Sequence, residues 1–75
     1  MIVVSDYRGF RIAIEAVAVD GRWNAEVRLR RILSADKPHA ETVTCYKLTA
    51  KHAERAGEVL ARRWIDLRAK EGLYG

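Results

Sequence analysis

The chain has 75 residues, a net charge of +4 and one cysteine, Cys45. A domain of this length buries only about 60% of its unfolded surface, so a second subunit would help to stabilise its thin core. One cysteine excludes an intrachain disulfide, and no Cys/His spacing is typical of a zinc site, so the sequence predicts no metal centre.

The N-terminal stretch, MIVVSDYRGF, contains four apolar residues before Ser5 and Asp6. That run is shorter than the apolar core of a signal peptide, and no later run is long enough to cross a membrane. A lone thiol also fits a reducing compartment. We therefore expect a single domain over residues 1–75 that is cytoplasmic and has no membrane partner.

Residues 10–33, FRIAIEAVAVDGRWNAEVRLRRIL, predict a β-hairpin. Asp20-Gly21 separates two alternating apolar runs, and Asp-Gly suits a type I′ turn because both central residues need positive φ. A two-residue turn aligns the apolar residues on one face, and a shift by one residue would destroy this match. The predicted core-side pairs are Ala18–Trp23, Ala16–Ala25, Ile14–Val27 and Ile12–Leu29, followed by Phe10 opposite Arg31.

The same register predicts a second face that is charged and partly apolar. Like charges directly opposite each other cost stability, as for Arg11 with Arg30 and Glu15 with Glu26. An apolar patch among such charges on a small domain is typical of a contact surface. The remaining residues assigned to this face are Ala13, Val17, Val19, Asn24, Arg28 and Ile32, with Val43 added in one of two alternatives for the next strand.

Residues 40–48, AETVTCYKL, follow the loop SADKPH and are rich in β-formers, so they predict a third strand antiparallel to the second. Its facing is ambiguous, because either Tyr46 and Leu48 or Val43 and Cys45 can point to the core. We favour Tyr46 and Leu48, since Leu48 then lies inward just before the helix and Lys47 lies near Glu26.

Residues 48–70, LTAKHAERAGEVLARRWIDLRAK, predict an α-helix with Thr49 as N-cap. Small residues in its apolar stripe would let the helix approach the sheet closely. Arg68 and Lys70 suit the last turn, and Gly72 is the expected residue after the C-cap. The predicted stripe consists of Ala53, Ala56, Gly57, Leu60, Ala61, Trp64 and Leu67. The fold class is therefore α+β, a three-stranded antiparallel sheet (β-β-β-α) with one C-terminal helix packed on one face.

The sequence contains no P-loop, dinucleotide fingerprint, zincin motif or nucleophile elbow. Cys45 with His39 or His52 is the only candidate nucleophile and base, and we interpret these residues as structural. Glu15 and Glu26 form a candidate carboxylate pair across the hairpin, which we interpret as two solvated side chains. We expect no enzymatic activity, no catalytic residue and no cofactor.

The partly apolar sheet face and the basic side chains suggest two binding hypotheses. The first is a binding or assembly module that self-associates as a homodimer, or takes a protein partner, through the helix-free sheet face. The alternative is RNA or DNA binding, although Phe10, Trp23 and Tyr46 are predicted on the core side and cannot stack on bases there. The candidate contact residues are Arg11, Arg28 and Arg30 on the sheet, and Lys51, Arg55 and Arg62 on the helix.

Three resemblances accompany these patterns. The segment TAKHAERAGEVLA, with Lys51 at the helix start, resembles the final helix of double-stranded-RNA-binding domains, which implies RNA contacts at that helix start. The element order is also similar to the N-terminal domain of HicB-type antitoxins. YRGFRI, GRWNAEV and the later ARRWID resemble small uncharacterised bacterial proteins of β-β-β-α build, which implies a fold and no particular activity.

Overall fold

The computed structural model describes residues 2–35, 37–45 and 49–71, with side chains up to residue 69 in the last range. Four strands, β1 (Ile2–Tyr7), β2 (Phe10–Val19), β3 (Arg22–Arg31) and β4 (His39–Cys45), form one antiparallel sheet in that spatial order. One helix, α1 (Ala50–Glu71), follows and packs on one face. The predicted α+β class is confirmed, but the prediction of three strands is wrong because β1 adds a fourth at the edge.

The turn between β1 and β2 explains why this strand was missed. Its central residues, Arg8 and Gly9, have φ of +50° and +83°, closely matching +49° and +76° at Asp20 and Gly21. A positive φ costs an ordinary residue about 1–2 kcal/mol. Arginine lacks the short polar side chain with which Asn and Asp adopt this conformation more easily. The turn is held from outside, since the Ile32 amide donates to the Gly9 carbonyl at 3.0 Å.

The central hairpin has the predicted register at every pair from Phe10 opposite Arg31 to Val19 opposite Arg22. Its inward side chains form the core. Ile12, Ile14 and Leu29 are at most 1% exposed. The pairing of apolar residues across the turn was therefore a sufficient guide to both the register and the buried face.

The favoured facing of the strand now numbered β4 is wrong. Cys45 is buried and Val43 packs against the core, because β4 pairs with β3 so that Val43 lies opposite Ala25 and Cys45 opposite Trp23. The strand begins at His39, and the predictions for Tyr46, Lys47 and Leu48 lie outside the described residues.

The helix begins as predicted. The Thr49 carbonyl accepts from the Ala53 amide at 3.4 Å, and the Thr49 hydroxyl accepts from the His52 amide at 3.3 Å, which caps the first turn. Gly57 lies so close to the sheet that an added Cβ would be 3.0 Å from methyl carbons of Ile14 and Val27. The small residues therefore do set the helix-to-sheet distance.

The end of the predicted stripe is wrong. Leu67 is 53% exposed, whereas Ile65, which the stripe omitted, is completely buried. The buried line follows i, i+4 steps from Ala53 through Gly57 and Ala61 to Ile65. Leu67 lies ten residues after Gly57, which rotates it well away from that line at 3.6 residues per turn.

Candidate interaction surface

The sheet face opposite α1 is named here the open face. Core residues alternate along each strand with residues that point to this side. Pairing across the strands aligns the open-face residues in rows. The arginine row is Asp6, Arg11 and Arg30; the central row is Val4, Ala13, Arg28 and Ala40; the carboxylate row is Ile2, Glu15, Glu26 and Thr42; beyond it lie Val17, Asn24 and Thr44, then Val19 and Arg22.

The missed strand adds the largest apolar groups to the open face. Ile2 and Val4 are each 57% exposed, and Val19 at the far end of β2 is 39% exposed. Val43, considered for this face, points to the core instead, and Ile32 lies half-buried in the turn after β3. Sequence reasoning found the apolar character of the face but not its main contributors, whose signal was the alternation in IVVSDY.

The structure brings Arg11, Arg28 and Arg30 together on the open face, as predicted, but not in equivalent states. Arg11 Nε donates to Asp6 Oδ1 at 3.0 Å. This hydrogen bond lowers the pKa of Asp6 and raises the pKa of Arg11. Arg28 and Arg30 make no ion pair with any described residue, so their guanidinium groups are the ones available for a ligand or partner.

The helix candidates do not join that cluster. Lys51 and Arg55 line a shallow open groove of about 770 Å³, which lies between Val3 of β1 and the first turns of α1. Arg62 is engaged elsewhere: its Nε donates to Glu58 at 3.1 Å, and its guanidinium lies 4.8 Å from the centre of the Tyr7 ring. Glu58 and Arg62 form an i, i+4 ion pair on the helix surface, so Arg62 acts within the fold.

A second group of contacts, named here the β1 clasp, joins β1 and its turn to the helix. Tyr7 Oη donates to Asp66 Oδ1 at 2.8 Å, and Arg8 Nη1 donates to the same oxygen at 2.9 Å. The hydrogen bond to Asp66 raises the pKa of Tyr7. No local pattern announces a contact between residues 59 positions apart.

The described aromatic residues gather on the helix side of the sheet. Trp64 meets Phe10 edge-on at 5.8 Å between ring centres and stacks on His39 at 4.6 Å. The guanidinium of Arg68 lies 3.6 Å from the centre of the Trp64 ring. Within the described residues, the open face therefore holds no aromatic ring on which a base could stack.

The candidate catalytic and metal groups do not assemble in the described part of the chain. Cys45 is buried in the core, whereas His52 is exposed and its ring contacts the Thr49 hydroxyl. His39 begins the strand that Cys45 ends, about 20 Å away at 3.3 Å per residue. Among described residues no three His, Cys, Asp or Glu side chains are grouped to hold a metal ion. Within the described residues, no helix is both long and apolar enough to span a membrane.

Searches for related proteins add nothing to this geometry: no family model, no curated protein and no solved structure matches the chain. The resemblances to double-stranded-RNA-binding domains, HicB-type antitoxins and small bacterial β-β-β-α proteins therefore stay hypotheses. Any functional proposal therefore depends on the geometry of the surfaces described above.

Proposed function

We propose that this protein is a non-enzymatic assembly module that self-associates as a homodimer through its open face. The observation that carries the proposal is the exposure of Ile2 and Val4 at the edge of a face that also holds Ala13, Val17 and Val19. Apolar groups that cluster on one side of a small domain are typical of a contact surface.

The charges of the face favour a copy of the same chain over a polyanion. The three charged rows contain three arginines, Arg11, Arg28 and Arg30, and three carboxylates, Asp6, Glu15 and Glu26. Their sum is zero, and Arg22 at the far end of the face brings the total to +1, against +4 for the chain as a whole. Nucleic-acid surfaces concentrate positive charge, whereas a nearly neutral patch of mixed charge suits a partner of the same composition.

The area of the open face sets the expected strength. Four strands about 4.8 Å apart, with about seven residues each at about 3.3 Å per residue, give roughly 450 Å² per copy. A face-to-face pair would bury on the order of 1,000 Å² in total, near the lower limit for a specific interface. We therefore expect a concentration-dependent dimer rather than an obligate one.

Sedimentation velocity over a range of protein concentration tests the proposal. Val4→Lys places a charge on the open face and should shift the protein to monomer at concentrations where the unchanged chain is dimeric. Val59→Lys is the matched control, because Val59 is 59% exposed on the helix, close to the 57% of Val4. A strict monomer at millimolar concentration, or equal effects of the two substitutions, would overturn the proposal.

One observation favours RNA or DNA binding as a second candidate function: Arg28 and Arg30 are exposed and make no ion pair among the described residues. Gel shifts with double-stranded RNA, duplex DNA and single strands at low salt test it. Arg28→Ala with Arg30→Ala should abolish a shift mediated by the open face. Lys51→Ala with Arg55→Ala should abolish one mediated by the helix start.

Salt separates the two functions. Affinity for duplex DNA falls with salt with a slope of about −0.9 per neutralised phosphate, so two arginines would contribute about −2 to the slope. An interface held mainly by apolar contact is much less sensitive to salt. Absence of any shift at low salt excludes the nucleic-acid function.

A further inference from the structure

The open face contains an electrostatic conflict that one copy of the chain does not settle. Arg11 lies directly opposite Arg30, and Glu15 lies directly opposite Glu26. Directly opposed like charges destabilise a sheet. Asp6 compensates Arg11, but Arg30, Glu15 and Glu26 make no ion pair with any described residue.

Arg11 and Arg30 are named here the arginine doublet, and Glu15 and Glu26 the carboxylate doublet. The positions of these doublets are as informative as their charges. The central row separates the arginine doublet from the carboxylate doublet, with each doublet about 7 Å from that row at about 3.3 Å per residue. Both doublets occupy the same two strands, β2 and β3. A rotation of 180° about the central row therefore exchanges the place of one doublet with the place of the other.

We propose that two copies pack face to face about a two-fold axis that runs along the central row, so that each arginine doublet covers the partner's carboxylate doublet. This inference rests on the proposed self-association and specifies its geometry. β3 of one copy then lies antiparallel over β3 of the other. Arg30 faces Glu26 of the second copy, and Arg11 faces Glu15 of the second copy, each twice.

The residues on the axis suit this arrangement. Val4 meets Val4 of the second copy, which buries the exposed apolar edge, while Ala13 and Ala40 are small enough for two sheets to approach to about 10 Å. Arg28 is the one charge on the axis, so it meets Arg28 of the second copy. Each of the two borders a shallow dimple of about 30 Å³ that Glu15 and Glu26 also line, so carboxylates of both copies lie beside the two guanidinium groups and offset their repulsion.

The ion pairs select the register more than they supply affinity. Taking charges out of water costs about as much as the new pairs return, whereas a wrong register places doublets of like charge face to face. Packed sheets cross at about 30°, which the long arginine and glutamate side chains can follow. The apolar contacts of Ile2, Val4 and Val17 provide the attraction that the charges then orient.

A charge-exchange experiment tests the register in solution. Residues 26 and 30 are the charged positions of β3 that face each other across the axis. Arg30→Glu makes both of them acidic, and Glu26→Arg makes both of them basic. Each variant alone should self-associate at least tenfold more weakly than the unchanged chain. An equimolar mixture should recover the dimer, because both cross-axis pairs become opposite in charge again. Native mass spectrometry identifies the mixed dimer by its mass, and circular dichroism checks that each variant folds.

The controls separate failure of the register from failure of self-association. Mixing Arg30→Glu with Glu15→Arg should not recover a dimer, because residues 30 and 15 lie on different strands that do not face each other in the proposed register; if it does, β3 lies over β2 of the second copy and the proposed register is wrong. If Arg30→Glu and Glu26→Arg each remain dimeric when alone, the proposed register is wrong, but self-association through the open face is not excluded. A monomeric unchanged chain overturns the proposed function itself. If Glu26→Arg does not fold, Arg11→Glu with Glu15→Arg repeats the test on β2.

Discussion

The two faces of the sheet come from the same strands, yet one is apolar and buried under the helix and the other is charged and exposed. On the helix side, Ile12, Ile14 and Leu29 are excluded from water and Gly57 brings α1 to within van der Waals contact. On the open face, charges form rows and the two most exposed apolar groups, Ile2 and Val4, lie at the β1 edge. The covered face supplies the stability of the single chain, and the open face remains free to take a partner. Four substitutions test this division, beginning with the largest expected effect.

Replacing Ile14 with Ala should lower the free energy of unfolding by about 3 kcal/mol, because a buried side chain leaves a cavity. Ile14 is 1% exposed and touches the helix at Gly57. Val4→Ala on the open face should change it by only about 0.5 kcal/mol. Urea denaturation at low protein concentration measures both, and similar losses for the two variants would refute the division between the faces.

Enlarging Gly57 should be nearly as damaging. The position of its missing Cβ is 3.0 Å from methyl carbons of Ile14 and Val27 and 3.1 Å from Cβ of Ala25, so Gly57→Val forces α1 away from the sheet. Overpacking of this kind costs about 1–3 kcal/mol. Arg63→Val on the exposed side of the helix carries the same β-branched side chain without the clash. Thermal unfolding should show a large loss for the first variant and little change for the second.

Tyr7→Phe should have a smaller effect, confined to β1 and dependent on pH. The hydrogen bond to Asp66 raises the pKa of Tyr7, so the protonated phenol is favoured in the folded chain. Its stabilising contribution is complete below the unfolded pKa of about 10 and is lost as pH rises through the higher folded value.

Hydrogen exchange and alkaline titration measure this effect. Tyr7→Phe should speed amide exchange in β1 more than in β3, and it should remove the Tyr7 part of the stability loss above about pH 10. Glu54→Gln, a change of charge on the same helix outside the β1 clasp, should do neither. An unchanged alkaline profile in Tyr7→Phe would show that the β1 clasp does not stabilise the strand.

The smallest expected effect has the opposite sign. Asn24 lies on the open face, but its Oδ1 atom is shielded from solvent and accepts no hydrogen bond from a described residue. A buried acceptor without a donor costs about 1–3 kcal/mol, and valine also suits a strand better than asparagine. Asn24→Val should therefore raise the free energy of unfolding by about 1 kcal/mol. Thr44→Val, in the neighbouring strand, is the control and should change it less.

The elements that the sequence predicted are those in which local patterns agree with one another. The β2–β3 register follows from Asp20-Gly21 together with the apolar pairs on either side, and the start of α1 follows from Thr49. The same register also placed Arg28 and Arg30 correctly on the open face. In each case the decisive contact lies within a few residues or is fixed by strict alternation.

The errors arise where local patterns admit two answers or give none. β4 alternates equally well in either facing, and only its pairing with Ala25 decides that Val43 points inward. Arg8-Gly9 is a weak hairpin signal, so β1 was missed, and with it Ile2 and Val4, the apolar part of the candidate site. The contact of Tyr7 with Asp66 depends on how the helix crosses the sheet, which no window of the sequence contains.

The strands are neighbours in the sheet in the same order in which they are synthesised, and α1 is synthesised last. Each strand pairs with its predecessor, so the whole sheet can assemble from local contacts before the helix exists. At about 5–20 residues per second, the 22 residues of α1 take about 1–4 s to synthesise. During that interval the apolar face of the nascent sheet is not yet covered by α1, so it is exposed to other chains.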